Sequence, residues 1–279
     1  MVHAAAQVKT RLHVISRGFR SHAIAAAKRL WYGARGEPIV YGSHRLRYLV
    51  GSRPVRLKYA TSSDVVARND AKQIQFFLKQ VLPGQLVFDI GAHYGEYAVL
   101  FGALVGAGGR VVSFEPDAAA RPTLRANLAL NKFADRVRIE ELAIFDSRAQ
   151  RELYARHGNA QSSLARTGLG GSSSEHDVEH YVVATCSLDE YLAASGLPSP
   201  DLVKLDIEGA EINALRGAKR ILQSGAVIVC ELHPYAWSEF GVSFDELLRI
   251  VSESGRTVGY LDEERQISDG PSYGAVVIS

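Results

Sequence analysis

From Leu86 onward, short apolar runs rich in β-branched and aromatic residues alternate with longer stretches in which apolar residues recur every three to four positions. The short runs predict strands over residues 86–90, 110–114, 137–142, 202–206 and 226–231. The longer ones predict helices over 96–104, 118–130, 188–194, 210–222 and 244–253. Strict alternation of the two is the pattern of βαβ units, so these strands are expected to lie parallel, with helices on both faces. The end of the chain breaks the alternation. Residues 257–261 and 275–278 are apolar strands joined by a polar stretch without helical periodicity, which predicts a closing antiparallel hairpin. The expected fold is α/β and doubly wound, mostly parallel with an antiparallel C-terminal hairpin.

Residues 39–59, rich in Val, Leu, Tyr and Arg, read as a small β-rich lead-in, and residues 168–174, rich in Gly and Ser, as a flexible surface loop. The expected division is residues 1–60, a basic helix with this lead-in, and residues 61–279, the α/β domain.

Composition refines this picture in three places. With 279 residues and 47% hydrophobic content, the chain can bury one sizeable core. No stretch approaches the ~18 uncharged apolar residues that span a bilayer. Cys186 and Cys230 fall within strand-like runs, where a thiol acts as a small hydrophobe, and a reducing, cytoplasmic setting is expected. The net charge of +2 hides an asymmetry, because twelve Lys or Arg and one acid, Glu37, precede Tyr59. Within that segment Val8, Leu12, Ile15 and Phe19 share one helix face, with Lys9, Arg11, Arg17 and Arg20 largely elsewhere. The resulting basic amphipathic helix, within residues 1–35, has three open readings: packing on its own domain, docking an anionic membrane surface or acidic partner, and a cleaved organellar presequence. No nucleic-acid partner is expected, and the oligomeric state is left open.

In an open parallel sheet, ligands bind at the carboxyl ends of strands, where strand order reverses. Those ends carry Asp89 with Gly91 and Gly95, then Glu115, then Asp206 with Glu208, and then Glu231 with His233. Glycines at a strand-to-helix turn, with an acid about 20 residues on to accept from ribose hydroxyls, suit a nucleotide cofactor. The same glycines also suit a merely tight turn. The loop "DIGAHYGEYA" is Asp-x-Gly-x-x-x-Gly, with Ala92 and His93 inside it, and not the Gly-x-Gly-x-x-Gly of dinucleotide sites. A carboxylate beside the ligand disfavours a pyrophosphate and favours a cation. S-adenosylmethionine offers an ammonium, a sulfonium, a ribose and an adenine with no phosphate. A nicotinamide-dependent oxidoreductase is the alternative, and no Tyr in the chain is followed four residues later by Lys, the usual short-chain helper pair.

The segment "KLDIEGAE" carries an apolar strand into a helix start, where Asp206 faces the same cleft as Asp89 while Glu208 and Glu211 suit the helix N-terminus. In "CELHP", Glu231 and His233 lie two apart and project to one side if the strand persists, as proton acceptors or as anchors for the next loop.

With "DIGAHYGEYA", "FEP" at Phe114 to Pro116, Asn127 and Asn131, "SSL" at Ser162 to Leu164, "LD" at Leu188 and Asp189, "KLDIEGAE" and Glu231 in this order, the chain resembles the FkbM-type methyltransferases. The likeness covers just over half the chain, from about Val87 to His233. It implies a seven-stranded methyltransferase sheet and methyl transfer from S-adenosylmethionine to a hydroxyl, often on a sugar of a glycolipid, polysaccharide or secondary metabolite. It further implies Asp89, Gly91, Ala92, His93 and Gly95 around the methionine part of the cofactor, Glu115 at the ribose, Ala143 and Ile144 at the adenine edge, and Asp206 near the methyl group. Base candidates are His233, Glu231 and Asp206. If Mg²⁺ polarises the hydroxyl, Asp206 and Glu231 would hold it; the sequence leaves metal dependence open. A glycolipid substrate would make residues 1–35 a device for holding the enzyme at the inner membrane face. His93 stands where the family usually has Asn, and Glu96 where an aromatic or aliphatic residue is common, which affects substrate identity more than cofactor identity.

Two further readings are weighed. "HDVEH", His176 to His180, has the spacing of an inverted zinc-protease motif but adjoins a strand-like run instead of a stable helix. A non-catalytic binding protein on the same fold is opposed by the intact acids of the cofactor site.

Overall fold

In the computed structural model, residues 33–49, 52, 63–156, 162–166 and 178–279 are described. The basic helix expected within residues 1–35 lies outside them except for Gly33–Arg35, a single 3-10 turn. The Gly/Ser loop at 168–174 lies outside them as well. The lead-in is a hairpin of β1 (Glu37–Tyr41) and β2 (His44–Tyr48), whose inward Ile39, Tyr41, Leu46 and Tyr48 are buried. Asn131 and Asn127 fasten it to the domain by accepting the backbone N–H of Arg47 and Leu49.

Helix α1 (Val65–Gln80) then leads to β3 (Leu86–Ile90), α2 (Glu96–Leu104), β4 (Arg110–Phe114), α3 (Arg121–Leu130) and β5 (Val137–Glu140). Here the chain leaves the main sheet. Strands β6 (Ala143–Ile144), β7 (Ala149–Arg156), β8 (Ser162–Ser163) and β9 (Val178–Cys186) form a second sheet in the order β6-β9-β7-β8. Helix α4 (Leu188–Ser195), capped by a Ser187/Glu190 box, returns the chain to β10 (Leu202–Leu205). Short helices α5 (Glu211–Arg216) and α6 (Lys219–Leu222) precede β11 (Val227–Leu232). After the one-turn α7 (Trp237–Phe240) come α8 (Phe244–Glu253), β12 (Val258–Tyr260) and β13 (Gly274–Ile278).

The main sheet runs β12-β13-β11-β10-β3-β4-β5. Its four pairings among β11, β10, β3, β4 and β5 are parallel as the βαβ pattern predicts, and β13 lies antiparallel between β11 and β12. Strand order reverses between β3 and β10, which is where the physics of such sheets places a ligand. The central strands β3, β4, β10 and β11 are covered on both faces. Phe88, Phe114 and Ile228 join one apolar cluster with α4, α5 and α8, while Val87, Val111 and Val229 join another with Ile74 and Phe77 of α1 and Phe101 of α2. Each face takes alternate strand residues.

Three departures from the expected elements have physical causes. Helix α1 was not anticipated because its inner face is partly polar: buried Asn69 and Gln73 break the apolar stripe, Asn69 Oδ1 accepting the Ala275 N–H and Gln73 Nε2 donating to the Glu231 carboxylate. The helix expected over 210–222 is broken at Gly217, whose carbonyl accepts the Asp189 N–H, while the Asp189 carboxylate caps the N–H groups of Lys219 and Arg220. The second sheet went unrecognised because β6 and β8 have two residues each and are set by pairing alone.

The loop after β3 is shaped by close approach. Gly91 has φ +82, and a Cβ there would stand 1.8 Å from the Asp206 carbonyl oxygen; at Gly95, φ +89, it would meet Leu124 Cδ1 at 2.4 Å. Gly91→Ala is expected to lower stability by about 3 kcal/mol, from backbone strain plus overpacking. A shifted urea midpoint at unchanged slope would show it; an unchanged midpoint would contradict this account of the loop.

Candidate active site

A cleft opens at the carboxyl ends of β3, β4 and β10. Gly91, Ala92 and His93 form one wall, Glu115 and Pro116 the next, and Ala143 and Ile144 an apolar edge. Ser163, at the end of β8, and Leu164, just after it, cover the cleft, and Asp206 and Glu208 close the far side. The Ser163 hydroxyl donates to the Glu208 carbonyl at 2.7 Å, which ties this cover to the loop after β10.

At one end, Glu115 is buried, and its two oxygens accept the backbone N–H of His93 at 2.5 Å and of Asp117 at 2.8 Å. Burial pushes its carboxyl up to about 7 against the lowering effect of those N–H groups. A carboxylate oxygen accepts more than one hydrogen bond, so capacity is left for a ligand's hydroxyls. His93 adopts φ +50, a left-handed conformation that His and Asn tolerate better than most residues.

The other end is built on one buried ammonium. Lys204 Nζ lies 3.1 Å from Asp206 Oδ2, 3.8 Å from Asp89 Oδ1 and 4.7 Å above the Tyr97 ring. Burial alone would lower its pKa, but Asp206 and Asp89 outweigh that and hold it above the ordinary lysine value. In return Lys204, with His233, keeps the Asp206 carboxyl below its usual range despite burial. His233 is ringed by acids. Its Nδ1 is 2.8 Å from Glu211 Oε1, and its Nε2 faces Glu208 at 3.6 Å, Asp206 at 3.8 Å and Glu231 at 4.0 Å. Burial lowers the imidazole, but Glu211, Glu208 and Asp206 together push it up to about 10.

Of the anticipated site residues, Gly91, Ala92, His93, Glu115, Ala143, Ile144 and Asp206 line the cleft. Asp89 does not. It shares the sheet face of Val87, pairs in register with Lys204, and has no hydrogen-bond donor within reach among the described residues. Its charge therefore answers the lysine from beneath the cleft. Gly95 is set back against Leu124. Glu231 is also behind the wall, accepting from Gln73 Nε2 at 2.6 Å and from the Tyr273 hydroxyl, so it is not paired with Asp206 as a Mg²⁺ site would need. His233 is not among the residues that line the cleft; it lies behind Asp206 and Glu208, buried against these acids. In "HDVEH", Glu179 and His180 lie in β9, so the helical spacing of a zinc motif is lacking, and His176 falls outside the described residues.

Sequence reasoning passed over Lys204, Glu208, Glu211 and Asp70. Glu208 and Glu211 looked like ordinary helix-start acids, yet Glu208 lines the cleft and Glu211 is fully buried. A lysine in an otherwise apolar strand next to Asp206 was the available signal for the first. Asp70 belongs to α1, which was not foreseen, and its carboxyl is pushed up to about 8 by burial and by Glu231 and Asp206.

A doubly wound sheet with a cleft at its switch point and an acid ending the neighbouring strand defines an enzyme of the nucleotide-cofactor class. Residues 89–260, more than half of the chain, match the methyltransferase FkbM domain, so the protein belongs to that family of S-adenosylmethionine-dependent methyltransferases. The match sets aside the nicotinamide alternative. The chain is 27% identical over 209 residues to the 31-O-demethyl-FK506 methyltransferase FkbM of Streptomyces tacrolimicus, covering 60% of this chain and 78% of that one. It is 28% identical over 160 residues to the 2-O-methyltransferase NoeI of Sinorhizobium fredii, covering 53% and 63%. It is 24% identical over 196 residues to the hexuronic acid methyltransferase AglP of Haloferax volcanii, covering 67% and 70%. No helix among the described residues is long and apolar enough to cross a membrane.

Asp89→Ala leaves a buried ammonium with one counter-charge fewer, and a loss of about 3–5 kcal/mol in folding stability is expected, read by denaturant titration. A loss of cofactor affinity at full stability would instead mean that Asp89 touches the ligand.

Proposed function

We propose that the protein moves the methyl group of S-adenosylmethionine onto a hydroxyl of a sugar, carried by a glycolipid, a polysaccharide or a glycosylated metabolite. The observation that carries this reading is the polarity of the cleft: a hydrogen-bonding carboxylate, Glu115, at one end, and carboxylates served by a buried ammonium at the other. Relatives named for 2-O-methylation and for hexuronic acid support an oxygen acceptor on a sugar. Residues 61–279 form the catalytic domain in this reading.

The cofactor's ribose hydroxyls donate to Glu115, its adenine lies against Ala143 and Ile144, and its methionine part runs along Gly91, Ala92 and His93 toward Asp206. The methyl donor and the acceptor oxygen then meet beside Asp206, the one anticipated base that reaches the cleft. Methyl transfer requires the oxygen, methyl carbon and sulfur to be in line; the oxygen–carbon bond forms as the carbon–sulfur bond breaks, leaving the neutral thioether. The protein's part is to align these atoms, exclude water and accept the hydroxyl proton, here at an Asp206 carboxylate oxygen.

Ribose hydroxyls favour the ionised form of Glu115, so cofactor affinity should fall as pH drops through about 7, with proton release on binding below that point. Calorimetry in two buffers of different ionisation enthalpy measures both quantities. Glu115→Gln should weaken binding and flatten the profile; a wild-type affinity independent of pH would contradict the ribose assignment.

Asp206→Asn should lower turnover by about 10²–10⁴-fold with little change in cofactor affinity. Transfer of labelled methyl to extracted glycolipids, polysaccharides and uronic-acid glycosides tests the reaction and substrate class together. Label found only on nitrogen or carbon would overturn the reading.

A further inference from the structure

His233 is 2% exposed, and its Nε2 has no hydrogen-bond partner among the described residues. That nitrogen faces Asp206 and Glu208, which line the far end of the cleft, although His233 itself does not line it. One ligand atom from each of Asp206, Glu208 and His233 lies within 4.8 Å of the others. We infer that these three residues form a site for one divalent first-row transition ion of the Mn²⁺ class, reached from the cleft through Asp206 and Glu208, which line it.

Two observations carry this beyond a cluster of acids. The first is spacing. Nε2 stands 3.8 Å from Asp206 Oδ1 and 3.6 Å from Glu208 Oε2, too far for hydrogen bonds. Two donors each about 2.1 Å from a shared ion stand about 3.0 Å apart at a right angle and about 4.2 Å apart when opposite, so both separations are ones an ion bridges. The second is the orientation of the imidazole. A metal-bound His typically gives its other N–H to a carboxylate, which fixes the ring and its tautomer. Glu211 is that carboxylate here, since a carboxylate only accepts and Nδ1 lies 2.8 Å from its Oε1. Glu211 is itself fully buried and held by the Gly209 N–H at 2.7 Å and the Trp237 indole N–H at 3.2 Å. The ring is thereby locked with Nε2 toward Asp206 and Glu208.

The donor set selects the metal class. One imidazole nitrogen with two carboxylates suits Mn²⁺, Fe²⁺ or Zn²⁺ better than the all-oxygen preference of Mg²⁺ or Ca²⁺. Glu231, at 4.0 Å from Nε2, stays outside the set because both of its oxygens already accept, from Gln73 and Tyr273, whereas Glu208 accepts at Oε2 alone, from the Tyr235 hydroxyl at 2.8 Å. The inference deepens the proposed function, resting on that reading for its purpose: an open position on the ion would receive the acceptor's oxygen and fix which hydroxyl meets the methyl group.

The test is electron paramagnetic resonance of the full chain, freed of metal by chelation and titrated with Mn²⁺ alone. One equivalent should bind, with pulsed spectra showing coupling to a directly coordinated imidazole nitrogen. Glu208→Gln, at the partly exposed rim, should weaken binding at least tenfold with an unchanged melting curve, and Glu211→Gln should weaken it about 10–100-fold without being a ligand. No binding at millimolar Mn²⁺, or bound Mn²⁺ without nitrogen coupling, would overturn the site. S-adenosylmethionine binding measured on the same chelated chain separates the two proposals. Cofactor binding without a metal leaves the methyl-transfer reading standing, and a metal without cofactor binding leaves only the metal site.

Discussion

One buried ammonium organises the centre of this molecule. Taking a charge out of water costs several kcal/mol unless counter-charges are held close by, and Lys204 has two, Asp89 and Asp206, with the face of Tyr97 above it. Asp89 comes from β3 and Lys204 from β10, the two strands between which the sheet order reverses. The same pair of strands is pinned again by the close approach of Gly91 to the Asp206 carbonyl. The switch point is thus fixed by charge from beneath and by backbone contact at the rim. Of the two counter-charges of Lys204, Asp206 is the one that reaches the cleft, with its orientation already set.

This arrangement divides the acids at the strand ends into two kinds. Asp89 and Glu231 work inside the protein, the first answering Lys204 and the second receiving Gln73 and Tyr273 from α1 and the approach to β13. Glu115, Asp206 and Glu208 face the cleft. All five are chemically alike, and their roles differ only through their neighbours. That is why an acid at a strand end signals a site without saying whether it touches the ligand.

The sheet was legible in the sequence because its central strands are buried on both faces and read as short, mostly apolar runs; β3 and β4 match the expected spans residue for residue. The break at Gly217 and the strands β6 and β8 were not, since each depends on a partner distant in sequence. Helix α1 was hidden by Asn69 and Gln73, polar residues that are buried because the edge of β13 and Glu231 require them. In the site, glycine spacing pointed to the right loop for an incomplete reason: Gly91 and Gly95 make room for Asp206 and Leu124 of the protein itself. His233 was legible as part of the site, but its surroundings were not, because Glu211 reaches it only through the turn that follows β10.

The account stands or falls on where the cofactor lies along the cleft. A crystal structure of the full chain with S-adenosylhomocysteine tests this most directly. The account predicts both ribose hydroxyls within hydrogen-bond distance of Glu115, the adenine against Ala143 and Ile144, and the sulfur at the end of the cleft that holds Asp206. A ligand with its ribose away from Glu115, or with its sulfur directed away from Asp206, would contradict it.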